Sequence, residues 1–359
     1  MEARSESTWK ARHRKCVSLI SEMDAAIIGV QEYWFKEYFR DLYESKAGLG
    51  TRYKFIGHKR PHHKEDGVGF FTDRKRIKIL DVRNITYGFH GSRVALLLHA
   101  RAKNAAGSEP RKDSELIVVN THLTFPHSTS DNALRLKQAT KLMELVEDYT
   151  SNLRRAKGGD GTQLPATFIM GDFNGGVDHV YHLLEKHGFT SSYSARNGSE
   201  ASVTHMTHNG RSVGVDFIWF RPGGANAIGG GKRGVKVASS NVLPRGITAR
   251  EWPRNFEESD HRPVLSSFLL CDPMNPKSSS DKDVMKTEPT NSSSGSNSST
   301  TTSTTSNHRS ARSPAAFTTA TTARGGSRRN NRRNRSRSRG EEELRERKSW
   351  GRSGKCTRR

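Results

Sequence analysis

Cysteine is scarce in this chain. Cys16, Cys271 and Cys356 stand far apart, so neither a disulfide framework nor a cysteine-based zinc site is expected from them. A reducing compartment, cytoplasmic or nuclear, follows as the expected location. No apolar run reaches the roughly 18 to 20 residues of a membrane helix, which predicts no transmembrane segment. Aliphatic residues are nearly missing beyond Cys271. Residues 272–359 are dominated by Ser, Thr, Asn and Arg and are expected to be a disordered tail, because they bury too little apolar surface to offset chain entropy. Acidic residues are the minority, 37 Asp and Glu against 60 Lys and Arg, for a net charge of +23. The tail holds 20 basic and 8 acidic residues, which leaves +11 on residues 1–271. Such a balance predicts polyanionic partners: nucleic acid, phospholipid head groups or phosphorylated small molecules.

Residues 1–271 suit one large domain. Apolar, β-branched runs predict strands at Ala25 to Val30, Gly67 to Phe71, Val94 to Leu98, Leu116 to Val119, Thr167 to Met170, Val215 to Phe220 and Val264 to Leu270. A helix is predicted from Asp131, as N-cap, to Tyr149, with Leu136, Ala139, Met143 and Val146 on one stripe. A shorter one runs from Asp178 to His187 and stops at Gly188. Val94 to Leu98 precedes Leu116 to Val119 across a polar link, which predicts an antiparallel pair. Ala102 to Asp113, Lys157 to Gln163 and Gly223 to Gly234 read as surface loops, the last opening a link of roughly forty residues between two strands. Mixed strand pairing with intervening helices predicts an α/β layered domain.

Acids, amides and imidazoles gather at the ends of these strands, where α/β folds place their sites. Gln31 and Glu32 follow one apolar run; Asn120, Thr121 and His122 another; Gly171, Asp172, Phe173 and Asn174 a third. Asp216 lies inside an apolar strand, and Ser259, Asp260 and His261 precede the last one. Singly, Glu32 also reads as a solvated loop residue or cap, and both Asn-Thr-His and Gly-Asp-Phe-Asn as turn chemistry. Asp216 is different, because a carboxylate within an apolar strand needs a partner. Tyr33, Trp34 and Phe35 read as packing for a following helix, Arg135 and Gln138 as solvated or structural. His205 and His208 allow a metal pair but fit a substrate-facing loop or plain surface.

In this order the five motifs resemble the endonuclease/exonuclease/phosphatase superfamily, the DNase-I-like fold, over nearly all of residues 1–271. Val119 to His127, His187 to Tyr193 and Gly214 to Trp219 resemble a plant and protist branch, some of whose members carry EF-hands. No Asp-x-Asp-x-Asp-Gly loop stands here, so no calcium module is expected. The resemblance implies a four-layer α/β sandwich of two mixed β-sheets flanked by helices. It implies hydrolysis of a phosphodiester or phosphomonoester by activated water, most in keeping with a nuclease, and a Mg2+ cofactor with Mn2+ as the other choice. Glu32 and Asp260 would hold the metal. His261 would act as general base or phosphate contact, oriented by Asp216; Asp172 would orient the water; His122 and Asn174 would bind phosphoryl oxygens.

Relatives place a strand ending in Thr-Phe-Asn before the helix that leads to Gln31. Here only Met1 to Glu6 precede that helix, so the domain over 1–271 is expected to be N-terminally truncated and to lack its first strand, with two strand edges exposed. A monomer acting on a phosphate ester, most in keeping with nucleic acid, is expected, its Arg-rich tail binding RNA or import machinery. Inositol phosphates and sphingomyelin are alternative substrates, and a non-catalytic nucleic-acid-binding protein is the alternative of another class.

Overall fold

Two six-stranded β-sheets form the middle of the molecule. The computed structural model describes residues 5–103, 115–159, 164–223, 235–252, 255–270 and 315–321. Chain contacts define a main unit, Lys10–Ala323, and a small one, Met1–Trp9 with Arg324–Arg359, of which only the first residues of a helix are described. The elements run α1 (Glu6–Glu22), β1 (Ile27–Trp34), α2 (Glu37–Glu44), β2 (Tyr53–Lys59), β3 (Asp66–Asp73), β4 (Ile77–Thr86), β5 (Val94–Ala102), β6 (Glu115–His122) and α3 (Thr129–Ala156). They continue with β7 (Ala166–Asp172), α4 (His179–Lys186), β8 (Thr190–Ser191), α5 (Ser192–Asn197), β9 (His205–Met206), β10 (Ser212–Val213), β11 (Asp216–Arg221), β12 (Val235–Val242), β13 (Val264–Leu270) and β14 (Ala315–Thr321). The first sheet has the order β12-β13-β14-β1-β3-β2, the second β4-β5-β6-β7-β11-β8. No described helix is long and apolar enough to cross a membrane.

Period-two alternation sorts the side chains of the second sheet. Leu96 and Leu98 of β5, Val118 of β6, Phe168 and Met170 of β7 and Ile218 of β11 meet Val68 and Phe70 of β3 between the sheets. Their neighbours Leu97, Val119, Ile169 and Trp219 face outward and are covered by Ala139, Leu142, Met143 and Val146 of α3 and by Leu184 of α4. On the far face of the first sheet, Tyr33 packs its ring against Phe39 and Tyr43 of α2, as the sequence suggests. Helix, sheet, sheet and helix thus make the four layers that the sequence resemblance implies.

One polar residue crosses the interface between the sheets. Asn120, fully buried on β6, donates from Nδ2 to the carbonyls of Val30 (2.9 Å) and Gly69 (2.8 Å), which face each other across β1 and β3. Its Oδ1 accepts from Gln31 Nε2 at 2.6 Å. Asn120→Ala is expected to destabilise the chain by about 3 kcal/mol, since it strands buried carbonyls as well as removing bonds. Urea unfolding of the two proteins checks this.

Several sequence expectations are corrected. Helix α3 is capped three residues before Asp131 and ends seven residues beyond Tyr149: Ser128 is the N-cap, its side chain accepting from Asp131 N, and the helix continues to Ala156. Strands β2, β4 and β12 were not expected; all three are edge strands, and β4 and β12 are only partly buried and interleave polar residues, so they lack a continuous apolar run. β12 also divides the long link after Gly223, whose residues 224–234 lie outside the described part, as do 104–113, 160–163 and most of 272–359. The place between β1 and β13, expected to be open, is taken by β14. Its residues 315–321 pair in parallel with Ile27–Gln31 and antiparallel with Val264–Phe268. Ala-Ala-Phe-Thr-Thr-Ala-Thr is uncharged and rich in strand-favouring Thr and Phe, unlike the Arg-rich residues that follow.

Candidate active site

Strand register alone assembles three of the expected residues. β6 and β7 are parallel and end level, with His122 opposite Asp172. β11 runs antiparallel to β7, so its first residue, Asp216, also faces Asp172. His122, Asp172 and Asp216 therefore stand side by side on three neighbouring strands. Gly171 permits this approach: its φ is +145°, and a Cβ there would overlap the Thr121 carbonyl oxygen. Just beyond, Asn174 adopts φ +51°, which turns the chain back over the strand end. Its backbone N donates to Asp172 Oδ1 at 2.8 Å.

The first sheet brings the remaining groups. At Glu32 the β1–β3 register shifts and φ is +53°, a bulge that re-aims this partly exposed carboxylate away from the strand's alternation. Ahead of β13, His261 donates from Nδ1 to Asp216, 3.0 Å from Oδ2, and its Nε2 lies 3.9 Å from Asp172 Oδ2. Asp216 thus has the partner its burial requires. Asp172, Asp216 and His261 form one group of metal-capable side chains, with ligand atoms within 4.8 Å of one another; His205, Asp260 and His261 form a second. Glu32 stands outside both groups.

Arg93, at the approach to β5, organises the second-sheet side. Its guanidinium donates to His122 Nδ1 at 3.0 Å, which assigns the His122 proton to Nε2, 3.3 Å from Asp172 Oδ2. Burial, then the charges of Arg93 and His261, hold the His122 imidazole neutral, well below its usual range. Burial, with Asp216 adding to it, raises the Asp172 carboxyl to about 7 against the opposing pull of His261. Burial alone would depress His261, but the carboxylates of Asp216 and Asp172 override it and lift the imidazolium to about 10. Arg93 is lowered by burial and by Arg60, and is held charged by Glu32 and Asp172. This coupling puts the bulged carboxylate within electrostatic range of the His122–Asp172 group.

Not every expected donor is free. Asn174 Nδ2 already donates to Leu123 O (2.9 Å) and Asp172 Oδ2 (3.2 Å), and both nitrogens of His122 are engaged. Of the two readings given for Arg135, solvated or structural, the second holds: it is buried, and its guanidinium holds the turn through Asn174 O and Asp178. Gln138, also buried, bonds Thr124 N (2.9 Å) and His90 O (2.6 Å) and so fixes the loop after His122. Arg93 was missed from the sequence, although a signal existed: antiparallel pairing of β5 with β6 carries the start of β5 to the end of β6. His205, read as loop or surface, lies against His261 with ring centroids 4.1 Å apart, whereas His208 is exposed.

No protein-family model matches the chain. An uncharacterized calcium-binding protein of Arabidopsis thaliana is 31% identical over 227 residues, 61% of this chain and 45% of that one, so the chain spans about half the length of this curated relative. Among solved structures, ANGEL2, a 2',3'-cyclic phosphatase in complex with adenosine-2',3'-vanadate, superposes with a TM-score of 0.57 at 18% identity, covering 75% of this chain and 89% of that one. The human Nocturnin catalytic domain with bound sulfate gives a TM-score of 0.51 at 18% identity, covering 76% and 92%. An endonuclease/exonuclease/phosphatase from Bacteroides vulgatus gives 0.51 at 20% identity, covering 74% and 93%. Facing mixed sheets, flanking helices and these shared architectures establish that the chain has the DNase-I-like fold of the endonuclease/exonuclease/phosphatase superfamily.

Proposed function

We propose that this chain is a phosphoesterase that cleaves phosphate esters by direct attack of water, with nucleic acid or another nucleotide as its substrate. The observation that carries this reading is the buried convergence of Asp172, Asp216 and His261, with His122 and Arg93 in contact around it. Taking so many titratable groups out of water is costly even when they pair with one another, and such clusters concentrate at functional sites. Environment pushes the two central groups apart, which divides their roles. Asp172, raised to about 7, ionises near neutral pH and takes the proton of the attacking water. His261, protonated up to about 10, presents its Nε2 proton to the phosphoryl or leaving oxygen, with Asp216 holding the ring in place. Arg93 adds fixed positive charge beside them and orients His122, while Asn174 shapes the turn around Asp172.

Glu32, on its bulge, and Asp260, exposed, offer hard oxygen donors open to solvent, which suits a Mg2+ or Mn2+ ion that retains most of its waters. An ion held by these residues would supply neutralisation of the phosphoryl charge. The +11 on residues 1–271 favours a polyanionic substrate. The nucleotide choice is also supported by the likeness to ANGEL2, crystallised with an adenosine-2',3'-vanadate.

The test is hydrolysis of bis-p-nitrophenyl phosphate, followed by RNA, DNA, 2',3'-cyclic nucleotides, inositol phosphates and sphingomyelin, each with Mg2+ and with chelator. Glu32→Ala is expected to lower turnover by about a hundredfold or more. Equal turnover in that variant sinks the site assignment, and absence of hydrolysis across the panel sinks the function.

A further inference from the structure

His205 and His261 are 56 positions apart in sequence yet form a cross-strand pair. Met206 N donates to Asp260 O (2.8 Å) and Arg262 N to Thr204 O (2.7 Å), so the two histidines occupy the non-hydrogen-bonded position of an antiparallel bridge. Side chains approach each other most closely there, which accounts for rings 4.1 Å apart and tilted by only 30°. Both Nδ1 atoms are committed. His205 Nδ1 lies 3.1 Å from the Asp260 carbonyl oxygen, which can only accept, and His261 Nδ1 lies 3.0 Å from Asp216 Oδ2. Each ring is therefore fixed by a hydrogen bond from Nδ1 and turns Nε2 away from it. A metal-binding imidazole is oriented in just this way by a carbonyl or carboxylate behind it. The exposed Asp260 carboxylate completes a set of three with ligand atoms within 4.8 Å of one another.

From this geometry we propose that His205, Asp260 and His261 form a binding site for a borderline transition-metal ion such as Zn2+, and that its occupation switches hydrolysis off. Two imidazoles and one carboxylate match the ligand types of open three-ligand zinc sites and disfavour Mg2+, which takes oxygen. Coordination through His261 Nε2 occupies the nitrogen that faces Asp172, 3.9 Å from its Oδ2. It thereby removes the group assigned to the phosphoryl or leaving oxygen and draws Asp260 from the Mg2+ or Mn2+ position. The site stands on its own geometry; its inhibitory effect rests on the phosphoesterase reading.

The full-length chain, stripped with chelator, is titrated with Co2+ and followed by its visible d–d absorption, with Zn2+ as competitor. Saturable tetrahedral bands, displaced by Zn2+, are expected. His205→Phe keeps a ring against His261 and removes the ligand nitrogen; it is expected to weaken Co2+ binding about tenfold or more. It should retain basal hydrolysis with Mg2+ and lose inhibition by micromolar Zn2+. His208→Ala is expected to bind Co2+ as the wild type does. Undiminished Co2+ binding in a folded His205→Phe chain, or no bands in the wild type, overturns the site. Bands that depend on His205 in a chain without phosphoesterase activity leave the site standing and remove its inhibitory role.

Discussion

His261→Ala is expected to lower turnover about a thousandfold, because it removes the proton donor that faces Asp172 and leaves the buried Asp216 carboxylate without its hydrogen-bonded partner. Asp216→Asn tests the pair from the other side. It preserves a hydrogen-bond acceptor for Nδ1 and removes only the charge. His261 titrates near 10 in the folded chain against an ordinary value of about 6.5. For a group raised in this way, the stabilisation is complete below pH 6.5 and is lost as pH climbs through 10. Asp172, raised to about 7, loses its proton lower in the range, so the interval from 7 to 10 isolates His261. In the metal-free protein, Asp216→Asn is expected to be less stable than wild type by about 3 kcal/mol at pH 7, with the gap narrowing toward pH 10. Urea midpoints across that interval provide the measurement. A gap independent of pH would show that the Asp216 charge does not hold the imidazolium.

The second large effect concerns β14. Deleting residues 272–359 removes a strand paired on both sides and opens the facing edges of β1 and β13, the strands nearest Glu32 and His261. Against a net stability of about 5 to 15 kcal/mol, loss of a central strand is expected to abolish cooperative unfolding. A milder full-length variant, Thr318→Pro, takes one amide out of the ladder between Ile28 and Leu265 and should cost about 3 kcal/mol. Deleting 322–359 retains β14 and should leave the thermal midpoint unchanged. Wild-type unfolding of the 1–271 chain would exclude Ala315–Thr321 from the folded core. Circular dichroism and thermal melts of the three proteins decide this.

What could be read in advance depended on local pattern. The inner strands of the second sheet announce themselves because both faces are buried and their apolar runs are continuous, as in Leu116 to Val119. β4 is only partly buried and interleaves Lys78, Asp81 and Arg83, so it reads as loop. The strand ends carrying Asp172, Asp216, His122 and His261 were legible because polar residues directly follow or interrupt those runs. Asp216 also implied a partner, since a buried carboxylate cannot stand alone, but nothing local named His261. The expectation of open edges beside β1 failed for a related reason: pairing with 315–321 spans almost the whole chain, and a short Thr-rich stretch carries no sign of where it docks.

The sequence by itself determined the α/β class, the order of the strand-end motifs and an excess of positive charge, because composition and periodicity are local properties of the chain. Only the tertiary structure decided that Arg93 orients His122, that Glu32 leaves its strand on a bulge, and that His205 stacks on His261. These depend on register between distant strands. A shift of one residue would turn each of those side chains to the other face of its sheet.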